Sequence, residues 1–517
     1  MTDLVTSRRA LLQGAALWGA VATAAPFKRA FGKTSFSNDP FQLGVASGDP
    51  VADGFVIWTR IAPDPFNPQA LPEALLVGWE VASDAGMKRI VKRGEAYARP
   101  EMAHAVHVDV RGLAPGRPYY YRFHCDGAVS RTGRGMTLPT PGRRVDNLKF
   151  AFTSCAHFEQ GYFSTYRDMA AQDPAFILHL GDYIYEVAVA NPVRRHPTAT
   201  PPMTLDEYRV FHAAYKMDPD LQAAHAQTSW FFTWDDHEVA NDYSRMESRA
   251  TPPETFPARK LAAYKAYYEH MPLRAAAALT DGAMTMYQRV LIGDLAEFNI
   301  TDARQYRDPL PCRTPDFRGG RDLLETDCAE FFDPARTMLG PAQESWLNDG
   351  FAKAGAHWNV LSHSLMFADF DQRMGEGWGT FTDSWSGYQA ARQRLMELAA
   401  RAPGNVITLA GDIHAFFATE VKQDRINPAV PALMTEFVTS SVTSDVGDPE
   451  KFDAALVENP HMKFCDARRR GYVLCSLDKN VWRADLRAAE NVRDPGTAFT
   501  TLKSFAVENG KPGPQAA

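Results

Sequence analysis

Long apolar runs are scarce in this chain. After residue 25, no stretch of its 517 residues approaches the ~20 consecutive apolar positions of a membrane-spanning helix, which excludes a polytopic membrane protein. Charge of one sign is not in excess either. Lys and Arg number 55 against 62 Asp and Glu, for a net charge of -7. Such a surface gives no general steering toward nucleic acid or anionic lipid, so no specific nucleic-acid binding and no stable membrane anchor are expected. Repeats, heptads and low-complexity tracts are missing, which removes solenoids and coiled coils. Cysteine is sparse, at six residues. What remains, 45% hydrophobic and 23% charged residues, is the composition of a globular monomer with one large domain and one small one.

The N-terminus holds Thr6-Ser7-Arg8-Arg9-Ala10-Leu11-Leu12 and then an apolar stretch to Ala25. An arginine pair before a short apolar segment resembles a twin-arginine export signal over residues 1–24, with Ala22-Thr23-Ala24 as cleavage site. The segment is short for a membrane span and is interrupted by Gln13 and Gly19. The twin-arginine machinery is thus an expected partner, and the destination is periplasmic or secreted. Residues 1–24 carry Asp3 against Arg8 and Arg9, or +1, so the mature chain stands at about -8. In an oxidising compartment Cys312 and Cys328, around a polar loop, are the first candidates for a disulfide. Cys465 and Cys475 are candidates for another, and a metal-binding Cys155 leaves at least one thiol, such as Cys125, unpaired.

Short β-like runs separated by turns fill residues 40–137, among them Gly54 to Thr59, Leu75 to Val81 and Ala105 to Val110. Their spacing suggests an immunoglobulin- or fibronectin-like β-sandwich, followed by a linker from Arg131 to Arg144. Over residues 146–490 strands alternate with helical patterns, an α/β arrangement. Helices are expected from Phe163 to Ala171, Leu205 to Ala226 and Ala258 to His270. In the tail, residues 491–517, the stretch Thr497 to Val507 is expected to be a helix able to plug a site.

Four segments hold the chemistry: Ser154-Cys155, Gly181 to Tyr185, Trp234 to Glu238 and Gly411 to His414. Each follows an apolar strand-like run: Leu148 to Phe152, Phe176 to Leu180, Trp230 to Thr233 and Val406 to Ala410. Strand C-termini of an α/β sheet open onto one crevice, so the four can converge there. Anionic donors brought together need cations between them. Thiolate and phenolate favour a trivalent ion, so Cys155, Asp182, Tyr185 and His414 point to Fe(III). Asp236, Asn241 and Asp412, sharing Asp182, are oxygen donors suited to Ca²⁺. Such a pair would hold a phosphate and make a hydroxide nucleophile from bound water. His237 is the candidate to hydrogen-bond the phosphate or protonate the leaving oxygen, and Arg259 the candidate to pair with phosphate oxygens.

Phe41 to Pro50 with Trp58-Thr59-Arg60 resembles the N-terminal domain of PhoD-type alkaline phosphatases. His179 to Glu186, Trp234 to Asn241, Asp302 to Arg307 and Gly411 to His414 are similar to that family's catalytic domain. The resemblance implies a metallophosphoesterase related to purple acid phosphatases: a sandwich of two mixed β-sheets flanked by helices, behind a small β-sandwich domain. It implies hydrolysis of phosphate mono- and diesters at an Fe–Ca centre. Two stretches depart from the family's pattern, Ser362-His363-Ser364 and Ser386.

Blander roles compete for some residues. Asp235 reads as a helix-capping carboxylate, His179 as a structural strand residue and Arg304 as an ion-pair scaffold. Trp378 and Trp385 read as lid packing, whereas His363 is expected at the site. The competing functions are a phospholipase D-type diesterase, a non-catalytic metal- or phosphate-binding protein and an iron redox protein.

Overall fold

The computed structural model describes residues 36–517, apart from Pro72, Ile426 and Pro428. The expected export signal lies outside the described residues. Two large mixed sheets face one another. The first runs in the order Lys511–Ala516, Phe499–Glu508, Val481–Ala489, Gly471–Leu477, Leu148–Thr153, Phe176–Leu180, Ser229–Thr233, Val45–Val51, Gly54–Arg60, Ala105–Val110. The second runs Gln288–Ile292, Ala296–Ile300, Trp358–Ser362, Asn405–Ala410, Met434–Val438, Phe416–Val421, Met462–Asp466.

The central strands are near-continuous apolar runs because both of their faces are covered. Side chains alternate between the faces. Phe150, Phe152 and Leu178 point between the sheets, against Phe298, Val360, Ile407, Leu409 and Trp482. Ala151, Ile177 and Trp230 meet the outer layer, formed by helices Ser164–Ala171, Leu205–Lys216, Pro219–Gln227 and Phe256–His270. Helices Pro341–Lys353 and Gln389–Ala399 cover the second sheet through Leu347, Leu395 and Met396 against Leu361, Val406 and Ala410. The result is a helix–sheet–sheet–helix stack.

The N-terminal strands form a β-sandwich that shares one sheet with this stack. Val45–Val51 pairs in parallel with Ser229–Thr233. Opposite lie Ile90–Ala98, Leu75–Ala82 and Pro118–Cys125, and Phe55, Ile57, Val77, Val81 and Phe123 fill the space between.

Three expectations are corrected. The single helix over Leu205 to Ala226 is two helices, because Asp218 caps a new start through Asp220 N and Leu221 N, and Pro219 has no N–H to continue the first. Thr497 to Val507 is not a helix but the strand Phe499–Glu508, with alternating Phe505 and Val507 buried. The Asn509-Gly510 turn returns it to Lys511–Ala516, and this turn signal together with the β-branched content outweighs helical patterning. Cys465 and Cys475 are both free, since they sit on different sheets. Cys312 and Cys328 do form a disulfide, which closes a loop of about 16 residues, worth roughly 3 kcal/mol of chain entropy. No helix among the described residues is long and apolar enough to cross a membrane.

Candidate active site

The two sheets meet at the C-terminal ends of their parallel strands. Ser154 there forms a parallel bridge to Ser441, and its carbonyl accepts from Val442 N at 2.9 Å. Just past these strand ends, Cys155, Asp182, Asp412 and His414 all have positive φ, at 61°, 54°, 66° and 57°. Left-handed backbone at non-glycine residues costs about 1–3 kcal/mol each and is held only where the surroundings impose it. The imposing contacts are visible at two glycines. A Cβ on Gly181 would stand 2.7 Å from Asp235 N, and one on Gly411 2.4 Å from Ser154 Oγ. Gly181 thus packs against the backbone at Trp234–Asp235 and Gly411 against the Ser154 side chain, and the following Asp residues are delivered to one point.

Most of the expected ligands converge. Ligand atoms of Cys155, Asp182 and His414 lie within 4.8 Å of one another, as do those of Asp182, Asp235, Asp236 and Asp412. The Tyr185 hydroxyl donates to Asp182 Oδ2 at 2.8 Å and lies 2.8 Å from His414 Nε2. His157 and His237 stack on its ring at centroid distances of 4.6 and 4.1 Å. Asn241 lines the same cavity of about 320 Å³ as Asp182, Asp236, His237, Asp412 and His414.

The electrostatics ask for cations. Burial, with the charges of Asp236 and Asp235, raises Asp182 well above the usual carboxylate range, and burial with Asp235 does the same to Asp412. Burial and the Asp182 charge push the Cys155 thiol up. Asp236 Oδ1 and Asp235 Oδ2 are buried without a hydrogen-bond partner. Groups this close cannot all ionise in a protein interior unless positive charge lies between them. Thiol, phenol and imidazole on one side and oxygen donors on the other fit one trivalent and one alkaline-earth ion.

Glu186 and Glu238 were not singled out from the sequence, although both end motifs that were. Glu238 accepts from Asp182 N at 3.1 Å, Tyr183 N at 2.6 Å and Asp235 N at 2.9 Å, tying two ligand loops together. Glu186 accepts from His237 Nδ1 at 2.6 Å and from Asn241 N at 2.8 Å. Burial opposes a charged His237, but Glu186, Asp236 and Asp182 outweigh it and hold its pKa well above the ordinary value. Glu186→Gln keeps the shape and removes the charge. Its kcat is expected to fall about 10- to 100-fold with KM little changed, checked by steady-state kinetics beside an unfolding midpoint.

Arg304 is the scaffold that its motif suggested. Fully buried, it pairs with Asp235, with Asp383 at 2.9 Å and with Asp236 at 3.5 Å. Asp235 is thus an ion-pair partner rather than a helix cap. Arg307 also binds Asp383, and Asp236, Asp242 and Asp383 form a further acidic group. His179 is structural, 3.1 Å from the Tyr166 hydroxyl.

Other expected residues lie elsewhere. Arg259 does not line the cavity; its Nε donates to the Tyr208 hydroxyl at 2.9 Å and its Nη1 to Thr251 Oγ1 at 2.6 Å. Helix Phe256–His270 packs against Leu205–Lys216, and the Tyr208 hydroxyl that accepts from Arg259 itself donates to the Val239 carbonyl, so Arg259 reaches the Asp236–Asn241 loop through Tyr208. His363 is buried against Phe367 with neither ring nitrogen bonded, and it too is outside the cavity. Trp385 packs on Phe367, and Trp378 lies under the Arg425 guanidinium.

A family model described as PhoD-like phosphatase matches residues 150–486, and one for the N-terminal domain of PhoD-like phosphatases matches residues 23–139. The chain belongs to the PhoD-like phosphatase family. Alkaline phosphatase D of Bacillus subtilis (strain 168) is 40% identical over 491 residues, covering 93% of this chain and 82% of that protein. A solved structure described as "Structure of PhoD" superposes with a TM-score of 0.88 at 40% identity, covering 94% of this chain and 93% of the other. The resemblance read from the motifs is therefore real, and the mixed sheets, flanking helices and β-rich N-terminal region are those of a PhoD-like fold.

Proposed function

We propose that this PhoD-like chain hydrolyses phosphate mono- and diesters at an Fe(III)–Ca²⁺ centre. Cys155, Asp182, Tyr185 and His414 would hold the iron; Asp182, Asp236, Asn241 and Asp412 would hold the calcium. The observation that carries this reading is the convergence of thiol, phenol, imidazole and carboxylates within ligand distance. When bound, the cations supply Lewis acidity that lowers the pKa of water and offsets phosphate charge. His237 is anchored through Nδ1 by Glu186, which leaves Nε2 to donate to a phosphate oxygen or the departing alkoxide. Burial opposes the charged imidazole, and Glu186, with Asp236 and Asp182, raises its pKa above the ordinary value. Arg259, bonded to Tyr208 and Thr251 outside the cavity lining, would act on the site through Tyr208 rather than by lining it. Export through the twin-arginine pathway, argued from Arg8-Arg9, fits a cofactor loaded into a folded chain.

Elemental analysis of protein recovered after export tests the centre. Iron and calcium are expected in stoichiometric amounts, with activity lost on chelation. Tyr185→Phe should remove any visible phenolate-to-iron absorption band while leaving the protein folded. Protein that is fully active without iron would overturn the assignment.

A further inference from the structure

The cavity is lined by both acidic and apolar side chains. Among the described residues no lysine or arginine lines it, whereas six aspartates do: Asp182, Asp236, Asp242, Asp322, Asp383 and Asp412. The apolar wall of the cavity is made by Met366, Phe370, Phe381, Ile413 and Phe452. Met366, Phe370 and Phe452 are almost fully buried, at 6%, 6% and 8% exposure, so this side is already assembled.

Its rigidity has identifiable causes. Glu436 accepts from Phe367 N at 2.7 Å and Ala368 N at 2.8 Å, and Asn459 accepts from Asp371 N at 3.0 Å. The backbone between Met366 and Asp371 is thus clamped by two buried side chains. Phe370 packs on Phe417 at 5.4 Å and on Phe452 at 5.7 Å. Asp322, at the exposed rim, adds negative charge where a substituent would leave the cavity.

We infer that this wall is the subsite for the second organic group of a phosphodiester, and that it selects an uncharged aryl or alkyl group. The inference rests on the phosphoesterase reading above. A diester carries one negative charge and two organic arms. One arm departs, and the other must lie somewhere near the cations. An apolar arm laid on Phe370, Phe381 and Phe452 leaves water, whereas an anionic arm finds no lysine or arginine in the cavity lining to meet it. A monoester has no such arm and one more negative charge. In the reaction, the oxygen of water bonds to phosphorus and the bond from phosphorus to the leaving oxygen breaks. That oxygen departs with the electron pair and receives a proton, and the spectator arm remains on the product monoester.

Diesters with a common leaving group isolate the effect. Methyl, phenyl and 4-carboxyphenyl 4-nitrophenyl phosphates are compared with the metal-loaded full chain, and release of 4-nitrophenolate is followed. The phenyl ester is expected to exceed the methyl ester about tenfold in kcat/KM, and the carboxylated ester to lose that advantage. Phe370→Ala and Phe452→Ala should each bring the phenyl-to-methyl ratio close to one, while Phe452→Leu, still apolar, retains most of it. A wild-type ratio near one overturns the inference, and so do alanine variants that slow both esters equally. If none of the three esters is cleaved, the phosphodiesterase reading itself falls, and the subsite with it.

Discussion

Asp182→Asn loses phosphate release by about a thousandfold or more, yet the metal-free variant unfolds no earlier than the metal-free parent. Both halves follow from its position. Asp182 alone is shared by the sulfur- and nitrogen-containing group and the oxygen-only group, so removing its charge weakens both ion sites together. Its burial, with Asp236, Asp235 and Glu238 nearby, already disfavours its ionised form. Without cations, that carboxylate is a liability to the fold, and a neutral amide relieves it. The backbone bonds that shape the loop, from Asp182 N and Tyr183 N to Glu238, do not involve the altered side chain. Release of 4-nitrophenolate and thermal unfolding in chelator check the two halves. Retained turnover would dismiss the shared centre.

Arg304→Met acts in the opposite sense, on stability first. Its guanidinium is fully buried and compensates Asp235 and Asp383, with Asp236 at 3.5 Å. Removing one partner of a buried ion network leaves uncompensated carboxylates and costs about 3–5 kcal/mol. Burial opposes the charged form of Asp383, but Arg304 and Arg307 outweigh it and hold its pKa below the usual value. A depressed pKa adds stability above the ordinary aspartate value of about 4, and this contribution disappears as pH falls through the lower folded value. The variant should therefore lose most relative to its parent at neutral pH and less in strong acid. Denaturant titrations at neutral pH and near pH 3 measure the difference. Adding Asp235→Asn should recover part of the neutral-pH loss.

The sites most legible in the sequence are those where a buried strand ends in a glycine. Leu178 to Leu180 before Gly181-Asp182, and Thr408 to Ala410 before Gly411-Asp412, carry apolar runs that only a covered strand tolerates. The punctuating glycine marks where another segment comes too close for a side chain. Cys155, Tyr185 and His414 were found by adding donor chemistry to those positions. Arg259 lies outside the cavity lining, because its place along the chain does not say which side of its helix faces the cavity. Glu186 and Glu238 act across 50 residues or more through backbone amides, and no local pattern announces such partners. His363 stands at a strand end like the proposed ligands, yet Phe367 and Trp385 close over it. The break at Asp218-Pro219 and the turn at Asn509-Gly510 were readable from residue types alone.

The strand that opens the catalytic sheet, Leu148–Thr153, lies beside Gly471–Leu477, and the sheet continues outward through Val481–Ala489 to Phe499–Glu508 and Lys511–Ala516. Trp482 and Phe505, from those late strands, sit inside the central packing. A ribosome must therefore pass at least residue 477 before Leu148–Thr153 finds its second neighbour, and residue 505 before Phe505 joins the packing. Maturation is a post-synthetic event: nascent chains should stay susceptible to protease until release, and shortening the chain before Phe499 should leave the ligand loops without a platform.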